Sequence, residues 1–87
     1  MNFLHYQVAT GTGSVIRVSL IGNAANVLVM DDANFNIFKQ GGRYTYFGGY
    51  YTRTPVLIKP PSPGRWNVVV NLGGAPGTVK AVVQVVG

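Results

Sequence analysis

The chain has 87 residues, of which 47% are hydrophobic and 10% charged, and it carries a formal net charge of +5. This composition excludes a disordered tail and predicts one domain over residues 1–87, built around a single hydrophobic core. The absence of cysteine excludes disulfides and zinc–thiolate sites, and no apolar run approaches the roughly 20 residues that span a bilayer.

The N-terminal sequence and the net charge indicate the cellular compartment of the chain and the class of its partners. The N-terminal residues lack the basic start and apolar stretch of a secretory signal, so we expect a cytoplasmic protein with no membrane partner. Seven Lys and Arg residues against two Asp favour an anionic ligand or nucleic acid. These cations are spread singly along the chain, however, and spread cations usually serve solubility.

The first third of the chain alternates apolar and polar residues with the period of two that is typical of strands. Glycine and asparagine turns separate three such stretches, which predict strands at Asn2–Val8, Val15–Ile21 and Val27–Met30. His5 falls on the outer face of the first strand. The third is short and apolar on both faces, so we expect it to be well buried.

The period then changes, and a short helix is predicted over Asp32–Gln40. The two aspartates suit an N-cap, Lys39 suits the last turn, and Gly41 and Gly42 end the element. A helix this short needs tertiary support, so we expect Phe35 and Phe38 to close an open end of a β-core.

The second half of the chain reads as short strands between glycine and proline turns. Gly48 and Gly49 interrupt the pattern, and the prolines around the Val56 stretch favour an edge position. The predicted strands are Arg43–Tyr46, Tyr50–Thr52, Val56–Lys59, Trp66–Leu72 and Thr78–Val86.

The strand that contains the only tryptophan has the clearest alternation. Its inward positions are Trp66, Val68, Val70 and Leu72, and its outward positions are Asn67, Val69 and Asn71. This pattern predicts a central core strand with one buried face and a buried Trp66. Seven or eight short strands with one short helix predict an all-β fold, a single antiparallel β-sandwich of jelly-roll-like type.

Catalytic chemistry has few candidates in this composition. There is no cysteine, no glutamate, one histidine and two adjacent aspartates, so a pair of separated carboxylates is not available. His5 could in principle form a triad with a serine and an aspartate, but no motif places Ser14, Ser19 or Ser62 as a nucleophile. The stretch from Asp32 to Asn36 resembles the start of a calcium loop, but Ile37 stands where glycine is needed. We therefore expect no enzyme, no catalytic residue, no metal site and no cofactor.

One segment has binding character. Residues 41–53 contain four of the five tyrosines and two of the seven cations. Tyrosine offers a flat face with a polar tip, and arginine stacks or forks onto phosphate. The alternative is that tyrosine simply favours strands and that these rings pack on the core. The candidate ligand-binding residues are Arg43, Tyr44, Tyr46, Tyr50, Tyr51 and Arg53.

Three stretches together carry a family resemblance: FLHY, LVMDDANFNIFKQGGRYTYFGGY and PSPGRWNVVVNLGGAPGTVKAVVQV. Over essentially the whole chain, the sequence resembles the small bacterial domain of unknown function eighteen-eighty-three. The resemblance implies a jelly-roll-like β-sandwich that occurs alone or ahead of a TIR domain. It supplies no catalytic residues to map.

Two functions follow as expectations. The first is a non-enzymatic ligand-binding or sensing module, for a nucleotide or nucleic acid, linked to TIR-type defence or signalling. The alternative is a self-assembly module, because Val69, Val82 and Val86 are apolar at outward positions. A valine ladder on a sheet surface invites pairing with a protein partner or another copy.

Overall fold

The computed structural model describes residues 2–87, which form seven strands and one helix. In chain order these are β1 Leu4–Thr10, β2 Val15–Gly22, β3 Ala25–Met30, α1 Asp32–Lys39, β4 Phe47–Tyr51, β5 Val56–Ile58, β6 Gly64–Asn71 and β7 Val79–Val86. The strands hold 52% of the residues and the helix 9%, so the predicted all-β fold with one short helix is confirmed.

The strands form two antiparallel sheets. One sheet has four strands in the order β1-β6-β3-β4, and the other has three in the order β5-β2-β7. Every connection except that from β3 to β4 passes from one sheet to the other, which is a jelly-roll-like winding. The predicted edge position of the Val56 strand is confirmed, because β5 lies at one edge of the three-stranded sheet.

The main core lies between the two sheets. Alternate residues of β2, β3 and β6 meet there, and Ile16, Val27 and Val68 are fully buried. Trp66 is 7% exposed, which confirms its predicted burial. Its indole Nε1 donates a hydrogen bond to the Ser62 carbonyl at 2.9 Å, so burial leaves no polar group of the ring unsatisfied.

The prediction that β6 has one buried face is wrong. Asn67 and Val69 are fully buried, and Asn71 is 5% exposed, although all three point away from the main core. The physical reason is that α1 lies on the outer face of the four-stranded sheet. Phe35 of α1 packs there in a second apolar cluster with Leu28, Met30 and Val69.

The helix itself is confirmed, but its predicted position at an open end of the core is wrong. Asp31 alone connects β3 to α1 and caps the helix, accepting a hydrogen bond from the Asn34 backbone N–H at 2.8 Å. So short a connection folds the helix straight back over the sheet that β3 belongs to. Gln40, predicted as the last helical residue, is the C-cap.

The predicted strand at Arg43–Tyr46 is also wrong, as is the predicted break at Gly48 and Gly49. Residues 42–46 are irregular, and the Thr45 N–H donates to the Asn34 side chain at 2.9 Å, which ties this segment to α1. The glycines lie inside β4. Gly48 has a φ of +126°, and a Cβ there would collide with the Val27 carbonyl, so glycine lets β4 pair closely with β3.

Replacement of the tryptophan tests the importance of the main core. We expect Trp66→Ala to lower the free energy of unfolding by about 3 to 5 kcal/mol, because the cavity between the sheets fills only in part. Urea unfolding followed by circular dichroism measures the change. Leu57→Ala is the control, because Leu57 is 63% exposed and surface changes cost within about 0.5 kcal/mol. Equal effects of the two variants would contradict the assignment.

Candidate functional site

The structure divides the six residues predicted to bind a ligand between two faces. Tyr50 pairs with Asn26, whereas Tyr51 pairs with Ala25. Because successive strand residues point to opposite faces, Tyr50 lies on the outer face of the four-stranded sheet and Tyr51 on the inner face, against the core. Arg53 lines a shallow depression together with Tyr51. The remaining residues, Arg43, Tyr44 and Tyr46, lie in the segment that follows α1.

Tyr44 and Tyr46 form one wall of a groove on the outer face of the four-stranded sheet, with a volume of about 220 Å³. We call it the tyrosine groove, and define it by Asn26, Leu28, Phe38, Tyr44, Tyr46, Asn71 and Gly73. Leu28 and the two asparagines belong to β3 and β6, and Phe38 belongs to α1. The groove therefore exists only because the helix and the segment after it lie over the sheet.

The aromatic wall is held by ring contacts. Phe38 meets Tyr44 edge to face at 5.0 Å between ring centroids, and Tyr44 meets Tyr46 at 5.6 Å. Burial, and to a lesser degree the neighbouring Tyr46, raise the pKa of the Tyr44 phenol above its usual value, so this phenol is neutral at physiological pH. Tyr46 is 44% exposed and offers ring surface to a ligand.

The polar end of the groove is a pair of asparagine side chains. The Oδ1 atom of Asn71 accepts hydrogen bonds from the Asn26 Nδ2 at 3.0 Å and from the Gly73 N–H at 2.8 Å. A peptide N–H can only donate, so the atom of Asn71 that faces Gly73 must be oxygen, which fixes the orientation of the amide.

The other atom of that amide has no partner. The Asn71 Nδ2 forms no hydrogen bond within residues 2–87, although the residue is 5% exposed. In the same residues no fully buried side-chain nitrogen or oxygen lacks a partner, so this N–H group reaches solvent, and Asn71 is one of the residues that line the groove. The tyrosine groove thus presents an unused hydrogen-bond donor beside aromatic rings.

A second groove lies on the other side of α1, with a volume of about 490 Å³. It is lined by Phe3, His5, Gln7, Asp32, Phe35, Asn36 and Lys39, and we call it the histidine groove. The sequence predicted His5 on the outer face of its strand, where it lies. It missed that the imidazole stacks on Phe35, with ring centroids 4.0 Å apart.

Hydrogen bonds join the histidine groove to α1. The Oδ1 atom of Asn67 lies 2.9 Å from the His5 Nε2, and its Nδ2 donates to the Asp32 Oδ1 at 2.8 Å. The Asp32 Oδ2 in turn accepts from Arg65, with the Nε at 3.0 Å and the Nη2 at 2.5 Å. Since the Asn67 oxygen faces His5, the His5 Nε2 carries the proton and donates.

These hydrogen bonds fix the position of the His5 ring and do not join it to a carboxylate as a proton-transfer pair. An amide separates His5 from Asp32, so the carboxylate does not orient the imidazole directly as a catalytic pair requires. Across residues 2–87, no three histidine or aspartate side chains come together in a way that holds a metal ion. The signal that sequence reasoning missed was Asn67, a polar residue at a position that the fold buries completely.

The same contacts set the ionisation of Asp32. The hydrogen bond from Asn67, and then that from Arg65, lower the pKa of the Asp32 carboxyl below its usual 3.8. A carboxyl with a lower pKa in the folded chain than in the unfolded chain stabilises the fold when it is ionised. This contribution is present above the usual pKa and is lost as the pH falls through the lower, folded value.

Acid unfolding tests that contribution. We expect Asp32→Asn to lower the thermal unfolding midpoint at neutral pH. As the pH falls below about 4, the midpoint of this variant should fall less than that of the wild type, because the variant has no carboxylate at position 32 to protonate. Calorimetry of both proteins between neutral and acid pH measures the difference. Gln84→Lys makes the same change of net charge on the three-stranded sheet and should keep the wild-type profile. Parallel profiles for Asp32→Asn and wild type would exclude the contribution.

No helix within residues 2–87 combines the length and the apolarity needed to cross a membrane. Comparison with curated proteins and with solved structures found no match. The model of the family described as Domain of unknown function (DUF1883) matches residues 1–87. The chain therefore belongs to this family of domains of unknown function.

Proposed function

We propose that the chain is a non-enzymatic ligand-binding or sensing module and that its ligand lies in the tyrosine groove. The observation that carries the proposal is the unpartnered Nδ2 of Asn71, which is held at the edge of the groove while the rest of the residue is buried. This N–H group is not fully buried, so a ligand that accepts its hydrogen bond takes the place of water there.

The groove fits the base of a nucleotide or of a single-stranded nucleic acid. Aromatic side chains stack with bases, and Tyr46 exposes its ring. The Asn71 amide would donate to a carbonyl or ring nitrogen on the edge of the base. Arg43, which directly precedes Tyr44 and is exposed, supplies a cation for a phosphate.

The charge distribution supports an anionic ligand. Both acidic side chains of the chain lie at the start of α1, where Asp31 caps the helix and Asp32 pairs with Arg65. Neither carboxylate lines the tyrosine groove. The groove therefore lacks the negative charge that would repel a phosphate.

The family resemblance gives this proposal its setting. We place the chain in the cytoplasm of a bacterium, as a domain that occurs alone or ahead of a TIR domain. A module that binds a nucleotide or nucleic acid would sense it on behalf of such an effector. The absence of catalytic chemistry from the histidine groove, where an amide separates histidine from aspartate, supports a binding role.

Direct binding measurements test the proposal. Calorimetry with nucleotides, and mobility shifts with single-stranded DNA and RNA over a salt series, should show binding that weakens as salt rises. Tyr46→Ala should weaken binding by about 5-fold to 150-fold, because one stacked ring is lost. Arg43→Ala should reduce the dependence of log affinity on log salt by about one.

The chain offers matched controls for each variant. Arg53→Ala removes the same charge from the same segment but away from the groove, and should bind as wild type does. Asn71→Asp keeps the oxygen that Asn26 and Gly73 use, but it removes the free donor and adds a negative charge to the groove, and both changes should weaken binding of an anionic ligand while the fold is retained. Binding that is absent for every ligand, or that Arg53→Ala weakens as much as Arg43→Ala, would refute the proposal.

A further inference from the structure

The outer face of the three-stranded sheet exposes aliphatic side chains. Ile21 and Leu57 are 60% and 63% exposed, and Val82 and Val86 are 48% and 50% exposed. The strand register places all four on one face, because their neighbours Ile16, Val18 and Val56 point into the core. Contiguous exposed apolar residues of this kind mark interaction surfaces.

The same face carries positive charge and no negative charge. Arg17 pairs with Leu57 on one side and Gln84 on the other, and Lys80 pairs with Ile21, so both cations stand among the apolar residues. The two aspartates of the chain lie at the start of α1, over the other sheet. We call this surface the basic face, and define it by Arg17, Ile21, Leu57, Lys80, Val82 and Val86.

The other sheet shows what completes such a face. Its outer apolar residues are buried by α1, which inserts Phe35 against Met30 and Val69. The helix brings a carboxylate, Asp32, that pairs with Arg65 at the exposed start of β6. One sheet of this molecule is therefore covered by a helix that has an apolar stripe and an acidic residue beside it. The basic face has the same combination of apolar residues and cations, but no helix within residues 2–87 covers it.

The dimensions of the basic face fit one helix. β2 and β7 have eight residues each, a length of about 26 Å, and β5 extends the sheet to a width of about 10 Å across its three residues. An α-helix with its side chains is about 10 Å wide, and about 17 residues of helix cover 26 Å. We propose that the basic face docks an amphipathic helix of a partner protein, with acidic residues beside its apolar stripe.

A second copy of the chain fits the basic face less well. Two such faces packed together would place Arg17 and Lys80 of each copy among like charges, with no carboxylate on either surface to pair with them. Val69, which the sequence offered as part of a valine ladder for self-assembly, is covered by α1 and is not available. Self-assembly through Val82 and Val86 stays a prediction, and it is an outcome of the experiment below.

The experiment uses two synthetic helical peptides of about 18 residues with the same leucine stripe. One carries glutamate beside the stripe and the other carries lysine at the same positions. The full chain should bind the glutamate peptide in calorimetry, with an affinity that falls as salt rises, and should bind the lysine peptide at least about tenfold more weakly.

Variants locate the peptide on the basic face. Arg17→Glu with Lys80→Glu, and separately Leu57→Ser with Val82→Ser, should each weaken binding of the glutamate peptide at least about tenfold. Lys39→Glu with Arg53→Glu makes the same charge change at residues outside the basic face and should leave the affinity for the peptide unchanged. Circular dichroism and unfolding midpoints verify that each variant is folded.

Four results would overturn the proposal. The first is no binding of the glutamate peptide up to about 1 mM, and the second is equal binding of both peptides. The third is a dimer in light scattering that Val82→Lys with Val86→Glu dissociates, which assigns the face to a second copy. The fourth is sedimentation of the chain with phosphatidylserine vesicles but not with phosphatidylcholine vesicles. If this sedimentation depends on Arg17 and Lys80 and the peptide does not bind, the face is assigned to a bilayer.

Discussion

The side chain of Asn67 is fully buried and takes part in hydrogen bonds to β1, β3 and α1 at once. Its oxygen faces His5 and Gln7, and its nitrogen donates to Asp32 and to the Met30 carbonyl. A buried amide that loses such partners pays the full cost of desolvation, so the bonds are mutually reinforcing. Together they hold α1 at one position and orientation on the four-stranded sheet.

The position of α1 then determines most of what is distinctive about the molecule. With the helix in place, β6 is buried on both faces and a second apolar cluster forms around Phe35. The two grooves lie on either side of the helix, and each uses helix residues for one wall. Without α1 the outer face of this sheet would be an open surface with apolar residues, as the basic face is.

Much of the fold could be predicted from local pattern, because alternation and turn residues are local signals. The alternation that identified the Trp66 strand also suggested that Asn67 and Asn71 face water. A polar residue at an outward position gives the same sequence pattern whether its side chain is solvated or forms buried hydrogen bonds. Burial of those residues depends on where α1 lies, which is a long-range property. The short link at Asp31 constrains that position, but only once β3 is placed in the sheet.

The candidate site shows the same limit. Residues 43–53 are dense in tyrosine and arginine, and density along the chain suggested one surface. A strand, however, sends neighbours to opposite faces, so Tyr50 and Tyr51 separate as soon as β4 is known to run through both. The glycines predicted to break this strand hide its extent, because Gly48 adopts a φ that other residues avoid.

The proposed ligand groove and the proposed helix-docking face lie on opposite sheets, so their occupants do not compete for the same side chains. They are joined by the main core. Leu28 lines the groove, and its strand neighbours Val27 and Val29 pack in the same core as Ile16 and Val18, which flank Arg17 of the basic face. Switching through a closely packed core requires packed elements with two discrete arrangements, and the structure has one, in which Val27 and Val29 are fully buried. The sandwich therefore suits a module that holds a ligand and a partner together better than one that switches shape between them.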